Sequence, residues 1–171
     1  MDFDLARLMN SESFNSFWFW LIVAVSWSRM THFSLGAGLH DVRDAMRNGG
    51  ADMDDLESMI HVNSRKLTNT FDKYGVWISS IGMFLIATIV TLGFKFNIEM
   101  MQALGMLLIG LLIGNILALR FAYRVISNNL RGSELCTGFT KLRMAKQFVG
   151  IVAIFVTSFY AAYFLVILRG I

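Results

Sequence analysis

The sequence predicts an all-α integral membrane protein, a four-helix antiparallel bundle with helical cytoplasmic extensions. Three observations carry that prediction. The chain offers four apolar runs long enough to cross a bilayer. Its residues are 56% hydrophobic and only 16% charged, with no proline. Its basic residues are concentrated in two of the polar segments between the runs. A ~20-residue apolar helix crosses a ~30 Å hydrocarbon core, and inside that core a helix satisfies its own backbone hydrogen bonds. The hydrophobic share also exceeds the ~45–50% usual for soluble domains. The chain reads as one membrane domain over residues 1–171, with spans at about 14–34, 76–94, 100–119 and 148–168 and cytoplasmic loops at 35–75 and 120–147.

The first run reads as a retained span. A secretory leader begins with a basic segment and ends in small residues. Here MDFDLARLMNSES sets Asp2, Asp4 and Glu12 against Arg7, and Trp27, Arg29 and His32 stand where small residues belong. Arg29 and His32 then mark the end of the bilayer, the arginine stem carrying its charge to the interface. Trp18, Trp20 and Trp27 read as interfacial aromatics of the same helix. The sharper alternative is a buried functional pair with His32 as a haem ligand, but His40 and His61, the other histidines, fall in a loop. The boundary reading is preferred.

Orientation follows from the cations. Loop 35–75 carries Arg43, Arg47, Arg65, Lys66 and Lys73, and loop 120–147 carries Arg120, Arg124, Arg131, Lys141, Arg143 and Lys146. Arg29 lies on their side, leaving only Arg7, Lys95 and Arg169 opposite. Positive charge near span ends favours the cytoplasm. Both termini are therefore expected in the periplasm.

Within loop 35–75, Gly49 and Gly50 in RNGGAD make a turn. Asp52 is the expected cap of the helix that follows, with Asp54, Asp55 and Glu57 at its positive end. Leu56, Met59 or Ile60, Leu67 and Phe71 recur at helical spacing, and nothing in KYGVWISS stops that helix before the second span. Residues 39–47 are too short a stretch to assign as a surface helix. KFNIE is a tight turn, so spans two and three form a hairpin. Span three is expected to run on through RFAYRVISNNL, with Gly132 in the left-handed position after its end and Ser133 capping the next helix.

The basic hairpin of Arg120, Arg124, Arg131, Lys141, Arg143 and Lys146, together with Arg29, reads as a contact for anionic lipid headgroups or for an acidic partner. In span three, Gly110, Gly114 and Ala118 form a small-residue stripe of the kind that lets helices approach closely. Packing within the bundle, against span two or four, is the preferred reading over a partner's helix. Asn115 in the same span needs a hydrogen-bond partner, and Ser79, Ser80 and Thr88 are the candidates.

The second, third and fourth spans contain no Asp, Glu, Lys or Arg, which argues against a proton or ion path. One cysteine, Cys136, cannot alone form an internal disulfide or hold an iron–sulfur cluster or structural zinc. No catalytic, metal or nucleotide-binding constellation is legible. The expectation is no enzyme activity, no cofactor beyond bound lipid, no nucleic-acid partner and no small-molecule substrate. These features point to a non-catalytic accessory, structural or assembly subunit beside a larger integral membrane complex. The alternative is the small four-span subunit of a secondary transporter.

The stretches SWSRMTHFSLG, GFKFNIEMMQA and RGSELCTGFTKLRMAKQFVGIVAIFVTSFY occur in an order and spacing that resemble an uncharacterised family of small alphaproteobacterial four-span inner-membrane proteins, often labelled "component of SUF complex". The resemblance covers about residues 14–163 and brings no established active-site residues. Iron–sulfur assembly requires a persulfide, a thiolate scaffold or ATP hydrolysis, none of which one cysteine supplies. What the resemblance implies is a bacterial inner membrane, where respiratory or photosynthetic complexes are the expected neighbours. Alkaline phosphatase fused at Ile171 should be active, and a fusion within the 48–52 turn should be silent. The reverse pattern would refute the orientation.

Overall fold

The computed structural model describes residues 17–32, 35–96, 98–163 and 166. Among these the chain forms five helices: α1 (Phe17–His32), α2 (Leu39–Asn48), α3 (Gly50–Lys95), α4 (Glu99–Asn128) and α5 (Gly132–Tyr163). Three of them, α3, α4 and α5, are long and apolar enough to cross a membrane. The described part of α1 has 16 residues, about 24 Å at ~1.5 Å per residue.

With no proline to remove a backbone donor, α3 runs 46 residues from the acidic segment into the apolar one without a break. Its start differs from the sequence expectation. Gly49, with φ +62°, occupies the capping position. Asp52 lies inside the first turn and accepts from Asn48 Nδ2 at 2.7 Å. The 39–47 stretch is helical within α2, and its Asp41 carboxylate accepts from the Gly38 N–H at 2.7 Å.

The end of α4 also corrects the expectation. The left-handed residue that closes α4 is Asn129, at φ 46° and ψ 49°; Gly132 also has a positive φ, but three residues further on. An asparagine tolerates this conformation better than most side chains. Gly132, at φ +53°, opens α5 instead, which leaves Ser133 inside that helix rather than at its cap.

α3 and α4 are pinned together at both ends. Near the C-terminal end of α3, the Gly93 backbone touches α4: a Cβ built there would lie 2.7 Å from the Gln102 nitrogen and 2.9 Å from the Met101 carbonyl carbon. The buried Gln102 donates through Nε2 to the Gly93 carbonyl at 2.9 Å. At the other end the Tyr123 hydroxyl donates to the Asp72 carboxylate. Beyond it, His61 donates from Nε2 to the Leu130 carbonyl at 2.9 Å, which fixes the proton on that nitrogen because a carbonyl only accepts. Glu57 accepts from the Gly132 N–H. α3 therefore holds the turn between α4 and α5.

The largest core cluster lies near that second set of bonds, outside the most apolar stretches. Ala37, Val42 and Ala45 come from α2 and the segment before it, Leu56 and Ile60 from α3, Phe121 and Val125 from α4, and Leu135, Phe139 and Leu142 from α5. The polar segments between the apolar runs thus build a packed helical layer. Gly93→Ala should lower thermal stability in detergent by about 1–3 kcal/mol through overpacking. Gly82→Ala, where a Cβ meets nothing within 4 Å, should cause no loss, and equal effects would contradict the close approach at Gly93.

Candidate functional site

The apolar helices pack unevenly. Of the most apolar window of α3 only 6% is buried, against 39% for α4 and 22% for α5. Val76, Trp77, Phe84 and Leu85 of α3 project outward. Between its two pinned ends, α3 parts from α4 to leave a groove of about 410 Å³. Ile78, Ser79 and Gly82 line it from α3, and Leu112, Asn115 and Ile116 from α4.

Asn115 is exposed on this groove and makes no side-chain hydrogen bond among the described residues. The expected bond to Ser79, Ser80 or Thr88 is not formed; Thr88 donates instead to the Phe84 carbonyl of its own helix at 2.9 Å. The residue therefore leaves a donor and an acceptor facing outward between apolar groove walls.

Gly110, Gly114 and Ala118 are all buried, on a different face of α4. A Cβ at Gly110 would lie 2.8 Å from Trp27 Cζ2 and 3.2 Å from the Ala153 Cβ, and one at Gly150 would lie 3.0 Å from Trp27 Cε3. The Trp27 ring of α1 is seated between glycines of α4 and α5. The close approach at Gly110 is to α1 and to α5, the fourth apolar run, rather than to α3. Trp27, 6% exposed, is a core wedge rather than an interfacial residue, while Trp18 projects outward and Trp20 packs partly against Ala103 and Ala161.

The basic residues divide. Arg120, Arg124, Arg131 and Lys141 are exposed, and Arg143 is partly so. Lys146 is 4% exposed, on the same side of α5 as buried Leu142 and Gly150, so it is not a surface contact for lipid or partner. Burial pushes its pKa below the ordinary lysine value. The Arg29 and His32 side chains lie outside the described residues.

A second, polar cleft of about 390 Å³ is lined by Asp54, Glu57, His61, Arg65 and Arg131 among others. Two of these, Glu57 and His61, are already engaged in holding the α4–α5 turn. Cys136 is buried with its Sγ 3.9 Å from Met53 Sδ, and burial, then the Glu57 charge, raises its pKa away from thiolate chemistry. No family model, curated protein or solved structure matches the chain.

Two outcomes follow. Gly110→Leu should lower the melting temperature of the isolated protein, because its side chain must displace Trp27; unchanged stability would show that the wedge is not formed. For Lys146, a depressed folded-state pKa means that the unfolded chain holds the proton to higher pH. The stability of the wild type in detergent relative to Lys146→Met should therefore rise as pH climbs toward the ordinary lysine value of 10.5, whatever the opposing contribution of the raised Cys136 thiol. A difference between the two proteins that falls with pH would contradict burial of this amine.

Proposed function

We propose that this protein is a non-catalytic accessory or assembly subunit that packs beside a larger integral membrane protein complex in a bacterial inner membrane. In this reading α1 supplies the fourth span, both termini are periplasmic and the packed α2–α5 layer faces the cytoplasm. The observation that carries the proposal is the asymmetry of α3: a helix of membrane-crossing length that packs on α4 but has few fully buried residues along its apolar stretch, beside a groove that its own chain leaves unfilled.

Physical grounds support it. In a bilayer, helices gain little from the hydrophobic effect and associate through close packing and hydrogen bonds. A chain that assembles for itself alone gains most by packing each span against the others. Here tight packing is concentrated in the layer beyond the spans, which can hold the hairpin upright while leaving α3 available. The exposed Arg120, Arg124, Arg131 and Lys141 add charge for anionic headgroups or an acidic surface, at ~1 kcal/mol per residue near a membrane.

Extraction of native membranes in mild detergent, followed by size analysis, tests the reading. The chain should migrate well above its own 19.3 kDa plus detergent, and should fall to monomer size as detergent strength is raised. Migration as a free monomer under all conditions would refute it.

A further inference from the structure

We infer that the groove between α3 and α4 is the seat for one transmembrane helix of a different membrane protein, with a small residue opposite Gly82, a hydrogen-bonding side chain opposite Asn115 and acidic residues where it emerges beside Lys73 and Arg120. The inference rests on the accessory-subunit reading and specifies its contact.

Two features of the groove have no use inside this chain. Gly82 lies within a long helix, where glycine is less favourable than alanine, yet a Cβ built there meets nothing within 4 Å. Gly93, Gly110 and Gly150, by contrast, each accommodate a neighbour that a Cβ would crowd. A glycine open to the outside permits an external backbone to come close. Asn115, on the facing wall, presents an amide with no side-chain bond among the described residues. Lipid tails can fill an apolar groove but cannot satisfy an amide. A helix with a polar side chain at that depth does both.

Shape and charge narrow the occupant further. The groove is concave, so a two-fold pairing of this chain with itself would set one hollow against another, whereas a single helix is a ridge that fits it. Asn115 precedes Arg120 by five residues, placing the amide about 7.5 Å along α4 from the first cation at ~1.5 Å per residue. Around that end of the groove, α3 and α4 present Lys66, Lys73, Arg120 and Arg124, all exposed. The one carboxylate among residues 66–73 and 120–124, Asp72, already accepts from Tyr123. An emerging helix end with acidic side chains complements this excess.

The full-length chain in its native membrane is the material for the test. A photoreactive residue replacing Ser79 should crosslink to one heterologous polypeptide through an apolar peptide flanked by acidic residues, and the same group replacing the exposed Phe155 of α5 should not. Gly82→Leu combined with Asn115→Leu fills the groove and removes the amide while keeping the span apolar. It should cut the associated fraction about tenfold or more, with the melting temperature of the purified monomer unchanged. Lys73→Glu with Arg120→Glu should weaken association in low salt. An adduct of twice the chain mass would overturn the inference in favour of a second copy, and lipid adducts alone would overturn it in favour of a lipid groove. Undiminished association of the groove-filled variant would overturn the groove but leave the accessory reading standing. Failure of the wild type to associate at all would remove both.

Discussion

The pairing of α3 with α4 at its two ends is the constraint on which the rest of the structure depends. At one end Gly93 lets the α4 backbone in, and Gln102 locks it with a hydrogen bond to the Gly93 carbonyl. At the other, Tyr123 reaches Asp72, and His61 and Glu57 hold the turn into α5. Those bonds set the direction in which α5 leaves the turn. They bring Leu135, Phe139 and Leu142 onto Phe121 and Val125, closing the main core. A hairpin fixed at both ends needs little packing in its middle, and the unfilled groove lies there.

α1 joins this frame through Val23 and Trp27, with Phe19 and Trp20 partly buried beside them. Trp27 sits on Gly110 and Gly150 at once, and a tryptophan buries roughly 150–250 Å². The small residues of α4 therefore serve an internal contact, and a different wall of the same helix carries Asn115 and the groove. The protein has an inner face that holds it together and an outer face that its own fold leaves incomplete.

Much of the fold was legible in the sequence because the responsible signals are local. Runs without ionisable residues mark the three long apolar helices, and two successive glycines at positive φ mark the α2–α3 boundary. The continuous α3 follows from the lack of any breaker in KYGVWISS. What the sequence could not decide depends on tertiary geometry. Asn129 and Gly132 are both suited to a left-handed backbone, and only the hydrogen bonds of the turn distinguish where the helix stops. Lys146 looks like one cation of a basic set, but its position on α5 between Leu142 and Gly150 turns it inward. The groove was half visible. Asn115 stood out as an amide in an apolar run, whereas Gly82 gave no signal until its surroundings showed that no neighbour requires it.

The central claim is that the α3–α4 face is reserved for an external helix. It is tested most directly by oxygen accessibility of nitroxide labels placed singly at Ser79, Met83 and Phe84, of which the first two line the groove. In the purified protein reconstituted into lipid, all three positions should be reached by oxygen. In the native membrane, the labels at Ser79 and Met83 should become protected while the label at Phe84, outside the groove, remains accessible. Equal accessibility at all three positions in both membranes would contradict the account, because lipid alone would then cover the face.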